Sequence, residues 1–343
     1  MGRLIRFNWQ AFDLAATIKV TVGMALMLVL VHMTGEPWLA TALAALFAWL
    51  ANVPGPLTNR VGGMLAFAAG AIVITLVSGQ IQLDLWPNIV AVSSVGFLGT
   101  VALARGMRGF MVGFSLISWA IYGPFLVATT SVENCILAIV AGTSIVVLLN
   151  IIGGFTGKKG TQPAVTTEAP APAEQPSAGP SMDYIFAYAI TVALVLALTT
   201  YYGWVELKTD PTLMAGGAFY VIGFNVNKTW VAGIGRVLGL VAGVFLGLLI
   251  AKLLGPGLML DVIMIVACGL SFGAAGVHPG AWMFFFMIFV AIGWHGLERE
   301  AFDLTTGERF YGELAGIAAA MVAIVFLQWW QNRAAVRRTI EKY

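Results

Sequence analysis

The chain has 343 residues, of which 59% are hydrophobic and 10% charged, and its 40 glycines outnumber its 18 basic and 16 acidic residues together. A soluble domain carries about 25% charged residues, and surface-to-volume scaling gives a chain of this size no way to hide so much apolar side chain from water. A lipid bilayer is the solvent that fits this composition, which excludes a soluble enzyme, a nucleic-acid binder and a disordered chain.

Charge placement says more than the net charge of +2. Arg3 and Arg6 precede the first apolar run, and no small-residue cleavage site follows it. The N-terminus therefore reads as a retained first helix and not as a signal peptide. Cys135 and Cys268 stand alone in separate apolar stretches, with no CxxC and no Cys/His cluster, so neither a disulfide nor a zinc site is argued and no cofactor is expected.

Apolar runs of about 20 residues predict twelve membrane-spanning helices. They fall at 14–33, 38–53, 60–78, 86–104, 108–128 and 133–152, then at 183–201, 212–224, 234–254, 257–275, 279–296 and 311–330. Between the two sets, residues 153–182 carry Pro163, Pro170, Pro172, Pro176 and Pro180 among Gly, Ala, Thr and Ser, the composition of an extended linker. The predicted division is a first six-helix repeat over 1–152, the linker 153–182, a second six-helix repeat over 183–332 and a basic tail over 333–343.

With both termini in the cytoplasm, the inner segments hold Arg3, Arg6, Arg60, Arg105, Arg108, Lys158, Lys159, Lys228, Arg236, Arg333, Arg337, Arg338 and Lys342. The outer segments hold only Lys208, Lys252, Arg299 and Arg309. This positive-inside bias survives only with an even number of crossings. The expected place is the inner membrane of a bacterium.

The halves echo one another. Thr21-Val22 answers Thr191-Val192, and Arg60-Val61 with Gly63 answers Arg236-Val237 with Gly239. Gly79 answers Gly255, and Ala141-Gly142 answers Ala315-Gly316. Six helices per half make the repeats parallel, related by an axis along the membrane normal, with the working site near their interface. The ninth helix carries Gly235, Gly239, Gly243 and Gly247, an i, i+4 ridge suited to close helix packing or, alternatively, to a sliding gate or dimer contact.

The second and eighth helices are both short and end in polar turns, Asn52-Val53-Pro54-Gly55-Pro56 and Asn225-Val226-Asn227-Lys228. Paired short segments at equivalent places point to a transporter site. Each turn leads into a helix opened by an arginine, Arg60 or Arg236, and a helix N-terminus with an arginine is an anion-binding corner. The alternative is that both arginines anchor the cytoplasmic interface. Lys19, two turns into the first helix, either snorkels to the headgroups or attracts an anion from within. Candidate proton carriers are His278, at the turn before the eleventh helix, and the acids Asp261, Glu133 and Glu313 near outer helix ends; solvated end charge is the plainer role for the acids. The acidic run over 298–313 is a docking face or simply a solvated loop. Gly269-Leu270-Ser271-Phe272-Gly273 matches G-x-S-x-G but sits inside an apolar helix, where no nucleophile elbow forms. No phosphate loop or HExxH motif is present, and the chain does not read as an enzyme.

Ile18-Lys19-Val20-Thr21, then Pro37-Trp38-Leu39-Ala40-Thr41-Ala42-Leu43, then Asn59-Arg60-Val61-Gly62-Gly63 resemble the fusaric acid resistance and aromatic acid exporter family. Pro211-Thr212-Leu213 and Gly235-Arg236-Val237-Leu238-Gly239 repeat the pattern in the second half. The aluminium-activated malate channels of plants look like distant relatives built from one half per subunit. This chain resembles a short form, without the large cytoplasmic domain many members carry, and Val53-Pro54 and Asn225-Val226 replace the Gln-Pro that commonly closes the second helix. The resemblance implies proton-driven export of small aromatic or other organic carboxylates, together with a periplasmic adaptor and an outer-membrane channel. A homo-oligomer is a further expectation. The alternatives are a passive anion channel, which would use the same basic corners without coupling, and a non-transporting membrane scaffold or enzyme.

Overall fold

The computed structural model describes residues 7–34, 38–52, 55–81, 84–156, 182–207, 212–222, 229–255, 257–297 and 311–329. They form helices joined by short turns, and no strand occurs among the described residues. Asp13 starts the first helix, α1 (Leu14–Thr34): its Oδ1 accepts the Ala16 N–H at 2.8 Å, the bond of an N-cap, so one orphan donor of the first turn is satisfied. A short 3-10 turn, Trp9–Ala11, precedes it. Then follow α2 (Trp38–Leu50), α3 (Leu57–Ile81) and α4 (Leu85–Val101). A 3-10 turn over Ala102–Arg105 and Gly106, at φ 77°, swing the chain into α5 (Gly106–Thr129). Ser131 caps α6 (Val132–Thr156), its hydroxyl accepting the Asn134 N–H at 3.1 Å. The second set is α7 (Met182–Glu206), α8 (Thr212–Ile222), α9 (Thr229–Leu254), α10 (Leu258–Ala274), α11 (Pro279–Leu297) and α12 (Tyr311–Trp329).

Among the described residues seven helices are long and apolar enough to cross a bilayer: α3, α4 with its 3-10 extension, α5, α6, α7, α9 and α12. Their apolar character runs all round. On α9, Leu240, Val244 and Leu248 are buried while Leu238, Phe245 and Leu249 face outward. A helix apolar on every side belongs inside a large core or in lipid, and the outward leucines and phenylalanines favour lipid. The chain is thus an all-α protein of membrane type.

α2 and α8 differ from the rest. α8 is buried along its whole length, from Thr212 to Ile222, and α2 is buried from Ala40 to Leu50 except at Trp49. Both pass through the middle of the bundle, which explains their runs of alanine and glycine: a bulky surround leaves no room for larger side chains.

α3 lies on α5 and α9 on α11; α4 lies on α5 and α10 on α11. α2 lies on α6, and a side chain at Gly142 of α6 would meet the Thr41 carbonyl at 2.9 Å and the Ala45 nitrogen at 2.8 Å. A side chain at Gly316 of α12 would likewise run into the Met214 carbonyl and the Ala218 nitrogen of α8. Across the halves, α4 packs on α7 and α10 packs on α1, while α5 touches α8 and α11 touches α2. The glycine ridge of α9 faces α11, with Gly239 against the Gly280 carbonyl and Gly243 against that of Phe284, so it is a seam within the chain. Gly269 and Gly273 of the G-x-S-x-G string meet Thr17, Thr21 and Asp13 of the first helix and its cap, and the buried Ser271 hydroxyl donates to the Cys268 carbonyl at 2.7 Å. That serine sits in continuous helix, not on a strand-to-helix turn.

Aromatic rings fill the centre. Phe47 meets Phe67 and Trp119 edge-on, Phe114 stacks on Phe219 at 4.7 Å, and Tyr220 meets Phe286 edge-on at 5.1 Å. The Trp119 indole N–H donates to the Thr75 hydroxyl at 3.0 Å, which satisfies the one polar group of that buried ring.

Candidate functional site: a hydrogen-bonded arginine corner

At the end of α2, after Leu50, the chain turns through Ala51 and Asn52, and α3 begins again at Leu57. This brings Asn52 beside Arg60, eight residues on, whose Nε–H donates to Asn52 Oδ1 at 2.9 Å. Asn150, near the end of α6, joins them. Its Oδ1 accepts from Asn52 Nδ2 at 3.0 Å and from Arg60 Nη2, and its own amide N–H donates to the Val146 carbonyl at 2.9 Å. The guanidinium is therefore aimed by two amides taken from different helices.

The electrostatics follow from those partners. Amide oxygens orient an arginine without cancelling its charge, and among the described residues no carboxylate pairs with Arg60. Two of its five N–H donors are engaged there, which leaves the others for an incoming acceptor. Arg108 from α5 reaches the same end of α3: it would collide with a side chain at Gly62 and lies 3.5 Å from Asn59 Oδ1. Both arginines thus lie near the N-terminal turn of α3, where the unpaired backbone N–H groups also favour an oxyanion.

Arg236 lies on α9, in surroundings unlike those of Arg60. It interacts electrostatically with Tyr188 of α7, whose hydroxyl donates to the carbonyl of Ile222, the last residue of α8, at 2.5 Å. Asn225, Asn227 and Lys228 lie outside the described residues, as do most of the linker, the acidic stretch over 298–310 and the basic tail.

The remaining candidates are dispersed. Lys19 is exposed on α1 beside the exposed Ile18. Glu133 is exposed and Asp261 half-buried, each in the first turn of its helix, where an acid suits the positive end of the helix dipole. His278 is buried, with its ring against Gly235 and 4.8 Å from Phe7; its Nδ1 accepts the Gly280 N–H at 3.0 Å and so caps α11. The N-terminal segment closes over this turn, Asn8 N–H bonding the Val277 carbonyl at 3.1 Å and Asp13 N–H that of Gly273 at 3.0 Å. Glu313 departs from the expectation of a solvated end charge. It is buried, because Gly217 of α8 lets the α12 backbone at Glu313 come into direct contact.

Sequence reasoning missed Asn150, Arg108 as a neighbour of α3, and Tyr188. Asn150 carries a usable signal, a lone amide in an apolar helix, since a polar group in such a setting needs a partner. Tyr188 carries none, because a tyrosine in a membrane helix is ordinary. A groove of about 500 Å³ between α4 and α7, lined by Ser93, Ser94, Phe97 and Ile190 among others, bears no cation and is not the anion site. No protein-family model, no curated protein and no solved structure matches the chain.

Proposed function

We propose that the chain is an exporter of small organic, chiefly aromatic, carboxylates across a bacterial inner membrane, coupled to the inward flow of protons. The observation that carries this reading is Arg60, a membrane-helix arginine held by Asn52 and Asn150 with no carboxylate beside it among the described residues. An ionisable side chain kept in a membrane helix, oriented but not neutralised, is a functional site by default. An anion supplies the missing counter-charge.

In this reading twelve helices cross the membrane as two parallel six-helix repeats, with both termini in the cytoplasm. The matched packing of Gly142 and Gly316, and the reciprocal pairs α4 with α7 and α10 with α1, support it. So does the positive-inside tally. The resemblance to aromatic acid exporters agrees with it, and a periplasmic adaptor with an outer-membrane channel would complete the route out of the cell.

The anion is captured from the cytoplasm at the Arg60 corner, with Arg108 adding charge and the Asn52 amide adding polar contacts. Arg236 forms the equivalent corner of the second half. Rearrangement of the halves about α2, α5, α8 and α11 then exposes the anion outward, and an ionisable side chain returns a proton. Lys19, exposed on α1, is a further basic residue for the captured anion.

The test is flux of 4-hydroxybenzoate in proteoliposomes, with and without an imposed pH gradient, for the wild type and an Arg60→Gln, Arg236→Gln double variant. Uphill movement that collapses with a protonophore, and is lost in the double variant, is the expected result. Downhill flux indifferent to the gradient and shared by chloride would make the protein an anion channel instead.

A further inference from the structure

The two halves can be laid over each other from their tightest backbone contacts. Gly142 sits against Thr41 and Ala45 as Gly316 sits against Met214 and Ala218. Carried along the helices, this register sets Phe47 of α2 against Tyr220 of α8, each two residues past the contact alanine. It also sets Ile139 of α6 against Glu313 of α12, each three residues before the contact glycine. All four are buried, at 0% and 2% exposure for Phe47 and Tyr220 and at 0% and 7% for Ile139 and Glu313. The two equivalent positions are thus both apolar in the first half and both polar in the second. Random drift in a lipid-buried core does not favour two polar groups at once, since each needs a partner.

Glu313 meets α8 at Gly217, three residues before Tyr220, and a third helix joins them. The hydroxyls of Tyr122 and Ser118, one turn apart on α5, lie within reach of the Tyr220 hydroxyl. The Tyr122 hydroxyl rests against Gly216, one turn before Tyr220 on α8. Yet the Tyr220 hydroxyl is not locked into a well-aligned hydrogen bond among the described residues, so it can turn between neighbours. Pro124, two residues past Tyr122, interrupts α5 beside this cluster by denying the Ala120 carbonyl its helical donor. The cluster stands where α5 meets α8, one of the few places where the halves touch through their central helices.

We propose that Glu313, served by the hydroxyls of Tyr220 and Tyr122, is the group that carries the coupling proton. The inference rests on the exporter reading above and names its proton site. The step is an acid–base exchange alone: the carboxylate takes one proton from the outer side to become a neutral carboxyl, and gives it up toward the cytoplasm, with no other bond made or broken. The Tyr220 and Tyr122 hydroxyls, each both donor and acceptor, can serve either form of the carboxyl. Tyr220 from α8 and, behind it, Tyr122 from α5 are titratable groups on the side of Glu313 that meets α8. Leu207, which meets α12 from the end of α7 at Gly312, brings none.

The experiment compares wild type, Glu313→Gln and Tyr220→Phe in proteoliposomes, measuring labelled 4-hydroxybenzoate counterflow at equal pH and accumulation driven by a pH gradient. Infrared spectra of the same samples are recorded across pH in the carboxyl region. Glu313→Gln should keep counterflow within about twofold of wild type while losing gradient-driven accumulation by about tenfold or more. A titrating carboxyl band should be present in wild type, absent in Glu313→Gln and displaced in Tyr220→Phe. Should Glu313→Gln fail to assemble, Tyr220→Phe, which removes a single oxygen, carries the comparison through its displaced band and weakened accumulation. Wild-type accumulation in Glu313→Gln, or a titrating band that survives the substitution, overturns the proposal. Absence of counterflow in the wild type overturns the exporter reading, and the infrared band then decides Glu313 by itself.

Discussion

Asn150 stands 90 positions from Arg60, and its side-chain oxygen accepts a hydrogen bond from that guanidinium. The same oxygen accepts from Asn52 at 3.0 Å, so one amide on α6 holds together the end of α2 and the start of α3. Asn150 is buried, whereas Arg60 and Asn52 are partly accessible, which places the amide behind the charge and the charge toward the opening.

Asn150→Asp puts a negative charge against Arg60 at nearly unchanged shape. The expected outcome is a loss of organic-anion affinity by about tenfold or more, some 1.4 kcal/mol, with thermal stability unchanged or raised because the new pair is a salt bridge. Equilibrium binding and a melting curve on the same sample check it. Asn150→Leu should lose both affinity and stability, since it strands the donors of Arg60 and Asn52 at about 1–3 kcal/mol.

Gly142 and Gly316 should respond alike. Replacing either with leucine forces a side chain into the backbone of α2 or α8, and overpacking of this kind costs about 1–3 kcal/mol or more. Parallel drops in melting temperature for Gly142→Leu and Gly316→Leu are expected. A tolerant Gly316 beside an intolerant Gly142 would count against the proposed equivalence of the two halves.

Thr75→Val leaves the Trp119 indole N–H buried without its acceptor. The loss should be about 1–3 kcal/mol, and adding Trp119→Phe, which removes the stranded donor, should recover most of it. Melting temperatures of the wild type, both single variants and the double variant complete the cycle; simple additivity would show that the Thr75 hydroxyl does not matter to the indole.

Asp13→Ala removes the cap of α1 and should cost about 1 kcal/mol, whereas Asp13→Asn should keep most of it. The effect is local, so amide exchange at Leu14–Thr17 is the measurement. Faster exchange there in Asp13→Ala alone is expected, with α9 unaffected.

Much of the architecture was legible in the chain because its determinants are local. Apolar runs, proline and glycine stops and capping residues marked helix positions that the described residues match closely: α4 is expected at 86–104 and occurs over Leu85–Val101 with a 3-10 turn to Arg105. The glycine ridge of α9 announced a close seam, but not that α11 was the partner. The short second and eighth helices signalled something unusual without revealing their burial.

Sequence by itself determined the solvent, the helical class and which residues carry charge, since composition and 3.6-residue periodicity depend only on neighbours along the chain. Arg60, Asn52, Arg236 and Glu313 were visible as candidates for the same reason, being scarce ionisable or amide groups in an apolar background. Only the tertiary structure decided which of them meet. It joined Arg60 to Asn150 across 90 residues, left Lys19 exposed, and buried Glu313 against α8 at Gly217. A helix shows the same sequence whichever way it is rotated, and its rotation is set by close packing at glycines such as Gly217 and Gly316, whose partners lie on other helices.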